Sequence, residues 1–128
     1  MIRVLIADDH ALLREGLKLI LSDTDDVQVC GEAANGEEVL DKLRNNSFDV
    51  IVLDINMPRK NGFEVLDELR GGGNCIPVLI LSTYSAEDYR DLAVMKGADG
   101  FIAKDQAPGK LLDAIRNVVK HNGRNLRK

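Results

Sequence analysis

The chain has 128 residues, the size of one ordinary domain, and its 45% hydrophobic and 30% charged residues suit one packed core under a solvated surface. A net charge of −4, from 17 basic and 21 acidic side chains, argues against a nucleic-acid-binding surface, which normally carries a basic excess. No apolar stretch approaches the ~20 residues of a bilayer span and no signal peptide pattern opens the chain, so neither a membrane anchor nor export is expected. Cys30 and Cys75 lie far apart in sequence, which suits two unpaired thiols in a reducing compartment.

Strand and helix patterns alternate throughout. Ile2 to Ala7 is apolar apart from Arg3 and reads as a buried strand. Asp8-Asp9-His10 breaks it. Leu13, Gly16, Leu17 and Ile20 then fall at i, i+3, i+4 and i+7, one face of a helix. Val27 to Cys30 is a short strand, Ala34-Asn35-Gly36 a turn, and Glu37 to Leu43 a helix with Val39, Leu40 and Leu43 inward. Asp49 to Asp54 is the third strand. Pro58 to Gly62 is a loop by its Pro, Asn and Gly content. A helix from Phe63 to Arg70 ends at three glycines, and Pro77 to Leu81 is a fourth buried strand. Ala86 to Lys96 is the next helix, capped by Gly97, and Gly100 to Ala103 a short fifth strand. Pro108 opens the last helix, where proline is tolerated, and Leu111, Ile115 and Val118 form its apolar stripe.

Strands that are apolar throughout, separated by amphipathic helices, predict a parallel sheet covered on both faces with right-handed crossovers. Ligands of such sheets bind at the carboxyl ends of the strands. Asp8, Asp9, Asp54, Ser82 and Lys104 all fall at those ends. Three acids brought together repel one another unless a counter-charge or raised pKa values relieve them. A hard divalent cation does so, and Mg²⁺ takes oxygen ligands with few carboxylates. With an ammonium from Lys104 and a hydroxyl from Ser82, the set suits a phosphoryl group: carboxylate nucleophile, metal, cation and donor. Each residue also has a plainer reading. Asp8 can cap the following helix, Asp54 can be a turn residue, and Lys104 a surface charge. His10 alone is a poor metal signal and reads as a flank of the pocket.

Residues 1 to 121 resemble the receiver domain of bacterial two-component response regulators. The resemblance rests on Ala7-Asp8-Asp9-His10, Leu53-Asp54-Ile55-Asn56-Met57-Pro58, Gly62, Leu81-Ser82-Thr83, Gly97-Ala98-Asp99-Gly100-Phe101 and Lys104, in that order and spacing. The opening Ile6 to His10 and the Lys104-Asp105 pair are most similar to the NarL/FixJ, or LuxR-type, subfamily. The resemblance implies a flavodoxin-like α/β fold with five parallel strands in the order 2-1-3-4-5. It implies Asp54 as phosphoacceptor, assisted by Lys104 and Ser82. It implies Mg²⁺ held by Asp8, Asp9, Asp54 and the backbone carbonyl of Asn56. Ser82, Thr83 and Phe101 take the switch positions, and Asn56 and Tyr84 those that tune the lifetime of the phosphorylated form. A bacterial, cytoplasmic switch that catalyses its own phosphorylation and dephosphorylation is implied, rather than an enzyme. Many receivers have proline after the lysine where this chain has Asp105.

The implied partners are a sensor histidine kinase, a C-terminal helix-turn-helix output domain that alone contacts DNA, and a second copy on phosphorylation. Residues 122–128 read as the start of a linker to that output domain. The alternative is a stand-alone receiver that signals by protein contact. Rivals of other classes fit less well. A haloacid-dehalogenase-like phosphatase needs an acid where Asn56 stands. A flavodoxin-like FMN binder needs a phosphate loop where two acids stand. Rossmann and P-loop binders need glycine fingerprints that are absent.

Overall fold

The computed structural model describes residues 1–83 and 87–126, with side chains described for 1–83 and 89–120. Five strands, β1 (Ile2–Ala7), β2 (Val27–Ala33), β3 (Val50–Asp54), β4 (Val78–Ser82) and β5 (Gly100–Ala103), form one parallel sheet in the order β2-β1-β3-β4-β5. Five helices alternate with them: α1 (Ala11–Leu21), α2 (Gly36–Asn45), α3 (Gly62–Gly71), α4 (Glu87–Met95) and α5 (Ala107–Leu126). The sequence order 2-1-3-4-5 is therefore the order of the fold.

Alternation along the strands divides the core in two. Val4, Ile6, Val50, Val52, Leu79, Leu81 and Ile102 face Leu17 and Leu21 of α1 and Leu111, Ile115 and Val118 of α5. Leu5, Ile51, Leu53, Ile80 and Phe101 face Val39 of α2, Val65, Leu66 and Leu69 of α3 and Ala93 of α4. The three inner strands are buried on both faces, which is why their sequences lack polar alternation.

Element ends depart from the sequence reading in three places. β2 continues beyond Cys30 to Ala33, because Glu32 at this edge finds partners in Arg14 at 3.0 Å and Lys18 at 2.9 Å on α1. Lys104–Gln106 form a 3₁₀ turn, so α5 begins at Ala107, one residue before Pro108. The backbone of α5 runs to Leu126, through most of the stretch read as linker.

Two glycines make the active edge possible. A Cβ on Gly62 would lie 2.4 Å from the carbonyl oxygen of Asp54, and the Gly62 amide donates to the Ile55 carbonyl at 2.9 Å. A Cβ on Gly36 would lie 2.3 Å from the carbonyl oxygen of Lys60, which the Gly36 amide meets at 3.0 Å. The β3–α3 loop is thus pressed onto the start of α3 and the start of α2. Nothing larger than hydrogen fits at either contact.

Candidate functional site

Pairing brings the carboxyl ends of four strands, β1, β3, β4 and β5, level. Ala7 lies opposite Leu53, Asp54 opposite Leu81, and Ser82 opposite Ala103. Asp8, next after β1, Asp54, the last residue of β3, and Lys104, next after β5, therefore converge from three chain segments. Asp8 and Asp54 are 1% and 2% exposed, a burial that carboxylates reach only with partners. Ser82 is fully buried at the end of β4. Thr83 beside it is exposed.

Lys104 supplies the counter-charge. Its Nζ lies 3.0 Å from Oδ2 of Asp8 and 3.2 Å from Oδ1 of Asp54. The Asn56 amide donates to the same Asp54 oxygen at 3.3 Å. Oδ2 of Asp54 is buried with no hydrogen-bond partner among the described residues. Oδ2 of Asp8 likewise accepts no aligned hydrogen bond, so its approach to Lys104 is a charge contact. A buried carboxylate oxygen without a donor is costly, and a cation or a bound anion's donor would satisfy it.

The electrostatics follow. Burial, and then the charge of Asp8, push the Asp54 carboxyl above its ordinary pKa, and Lys104 only partly offsets them. Burial alone would lower the Lys104 pKa, but its contacts with Asp8 and Asp54 outweigh that and raise it. One ammonium among these acids leaves the edge short of positive charge. Asp8, Asp9, His10 and Asp54 each offer a donor atom, and these atoms lie within 4.8 Å of one another. Oxygen donors at this spacing fit a small divalent cation.

Local structure fixes the acids. Oδ1 of Asp8 accepts from the His10 amide at 2.9 Å, a short side-chain turn that opens α1. The Asp8 amide donates to the Ala33 carbonyl at 3.0 Å, and the Arg14 guanidinium donates to the Asp8 carbonyl. Asp8 does not cap α1, whose N-cap is His10 without a side-chain cap bond; its Oδ1 holds the His10 amide, while its other oxygen faces Lys104. Phe101 is buried in the core with the Arg90 guanidinium 5.1 Å above its ring. Asn56 has an exposed side chain. Tyr84 lies outside the described residues.

Sequence reasoning missed three contributors: Arg14, Arg90 and the placement of the His10 ring. Nothing in a linear pattern ties Arg14 or Arg90 to the site. His10 was visible as a neighbour of the acids, but its orientation was not.

Comparison with known proteins gives the same result. Residues 4–116 match the response regulator receiver domain family. The chain is 36% identical over 93% of its length to YxjL of Bacillus subtilis, an uncharacterized transcriptional regulatory protein, covering 55% of it. It is 39% identical over 91% of its length to the nitrate/nitrite response regulator NarL of Escherichia coli, covering 54% of that protein. The signal receiver domain of a NarL response regulator from Mycobacterium tuberculosis superposes with a TM-score of 0.87 at 33% identity, over 93% of this chain and 96% of that one.

The chain belongs to the response regulator receiver family, among relatives of the NarL and LuxR type. Receiver domains of this family are signalling switches of two-component systems. The chain spans about half the length of the curated relatives it matches.

Proposed function

We propose that this receiver accepts a phosphoryl group on Asp54 from the phosphohistidine of a sensor kinase, and that the modification drives an output domain which binds DNA. The observation that carries the reading is the buried Asp54 carboxylate, whose Oδ1 lies 3.2 Å from the Lys104 ammonium and whose Oδ2 has no hydrogen-bond partner among the described residues. A carboxylate oxygen attacks phosphorus, a P–O bond forms, the P–N bond breaks, and the leaving imidazole takes up a proton. Asp8 and Asp9, with Asp54 and the Asn56 carbonyl, would hold Mg²⁺. When bound, Mg²⁺ offsets charge that builds on the transferred oxygens. Lys104 orients Asp54 beforehand and pairs with the phosphoryl group afterwards. The Ser82 hydroxyl donates to a phosphoryl oxygen. Asn56 and Tyr84 tune access of water to the acyl phosphate.

Phosphorylation adds up to about two negative charges at this edge. Ser82 and Thr83 turn toward them, and Phe101, on the neighbouring strand, responds with α4. α4 buries only Ala93 among its described side chains and exposes Val94 and Met95 at 61% and 82%. A helix held by so little is suited to move between two positions. The output is inferred from the relatives, which include transcriptional regulatory proteins of whose length this chain spans only about half. The same likeness assigns the bacterial cytoplasm, and a second copy as a partner on phosphorylation. No described helix is long and apolar enough to cross a membrane.

The test is intact mass after incubation with Mg²⁺ and acetyl phosphate. Wild type gains about 80 Da, one phosphoryl group, and Asp54→Ala gains nothing. An unmodified wild type would overturn the reading.

A further inference from the structure

We propose that His10 is a nitrogen donor of the cation site, so that this edge binds imidazole-accepting divalent transition ions through a ligand that Mg²⁺ does not use. The proposal rests on the reading of the edge as a cation site.

Its basis is the convergence of unlike donors. Nδ1 of His10 lies 3.1 Å from Oδ1 of Asp8 and 3.1 Å from Oδ1 of Asp9. Only the Asp8 contact is aligned as a hydrogen bond, so a shared proton accounts for one approach and not for the other. Donors on adjacent corners of an octahedron, each about 2.1 Å from the ion, are about 3.0 Å apart. The His10 ring thus already holds the separation that two neighbouring ligands adopt. Asp54 belongs to the same cluster, and its Oδ2 is a buried oxygen without a hydrogen-bond partner among the described residues.

The consequence is selectivity. Mg²⁺ is hard, takes oxygen ligands and retains its waters. Co²⁺, Ni²⁺ and Zn²⁺ accept imidazole readily, and affinity for mixed nitrogen and oxygen sets rises from Mn²⁺ through Co²⁺ and Ni²⁺ to Cu²⁺ and falls again at Zn²⁺. For these ions His10 replaces a bound water. For Mg²⁺ it remains a neighbour of the acids. The ring is 69% exposed, so its removal leaves the fold intact and isolates the ligand contribution.

The test uses untagged protein with His121→Gln as background, because the chain has two histidines and His10 should be the sole imidazole. Co²⁺ and Mg²⁺ are titrated separately by calorimetry, with and without His10→Ala. The proton NMR spectrum of the Co²⁺ form is searched for a paramagnetically shifted imidazole N–H. His10→Ala is expected to weaken Co²⁺ about tenfold or more and Mg²⁺ by less than about twofold, and to abolish the shifted resonance. Equal changes for the two ions, or no shifted imidazole proton with Co²⁺ bound, would overturn the proposal and leave the Mg²⁺ site standing. Failure of wild type to bind either ion would remove the cation site itself.

Discussion

Asp54 is held in a costly state. Its pKa is raised by burial first and by Asp8 second, so its ionised form is less favourable in the folded chain than in the unfolded one. A raised carboxyl pKa means that stability falls as pH rises from the ordinary carboxylate range through the folded value, and the loss is complete above it. Asp54→Asn removes the charge and keeps the shape. It should therefore stabilise the metal-free protein at pH 7 by about 1 kcal/mol, a few degrees in Tm, and the gain should shrink at pH 4. Thermal unfolding in chelator at the two pH values checks this. Lys104 has the opposite linkage. Its pKa is raised by the acids, so its contribution is present below the ordinary lysine value and is lost only as pH climbs through the higher folded value. Near neutrality the ammonium therefore stays charged and does not itself contribute to the pH response of the site.

Among the elements, α3, β4 and β5 are joined away from the site by one guanidinium. Arg70 donates to the Gly97 carbonyl from Nε at 3.0 Å and from Nη2 at 2.8 Å. Its Nη1 meets the carbonyls of Asn74 and Ile76 at 2.9 and 2.8 Å, and its Nη2 meets Asp99 at 3.0 Å. The same Asp99 oxygen accepts from the Val78 amide at 2.9 Å, so the starts of β4 and β5 share this anchor. Arg70→Ala should cost about 2–3 kcal/mol in urea denaturation at pH 7. Arg70→Lys should recover little, because a single ammonium cannot reach carbonyls on three segments. Burial raises the Asp99 pKa, and loss of Arg70 would raise it further, so the cost of Arg70→Ala should be smaller at pH 4, where protonation of Asp99 relieves its unpaired charge, than at pH 7. Among the described residues α4 shows no comparable anchor on the sheet. Tyr89 stacks on Phe63 of α3 with ring centroids 6.4 Å apart, Arg90 covers Phe101, and Lys96 beyond its end meets Asp67 at 2.9 Å. These few contacts, made at the rim of the core, can be exchanged at less cost than the Arg70 cluster, which suits a helix that changes position over a fixed base.

For the whole molecule, the fold was legible because parallel strands buried on both faces must be continuous apolar runs, as Val50 to Leu53 and Val78 to Leu81 are. The site was legible because acids that end such runs, at Asp8 and Asp54, are placed together by strand order alone. What stayed hidden depends on tertiary partners. β2 runs on past Cys30, where the sequence reading ends it, with Glu32 held by Lys18 and Arg14 on α1. The 3₁₀ turn at Lys104 left no periodic mark, and neither Arg90 over Phe101 nor the His10 ring between two carboxylates follows from spacing. The fold and the site are also opposed energetically. The same burial that positions Asp8 and Asp54 lowers the stability of the folded chain while Asp54 is ionised, so a cation that relieves the edge must stabilise the molecule as a whole. A ligand that binds only the folded state at tenfold excess over its Kd adds about 1.4 kcal/mol. Mg²⁺ should therefore raise Tm at pH 7 by several degrees. The rise should be smaller at pH 4, where protonation of Asp54, whose pKa is raised, competes with the ion, and should be reduced in Asp54→Asn. An equal Mg²⁺ effect at both pH values would mean that the ion acts elsewhere on the surface.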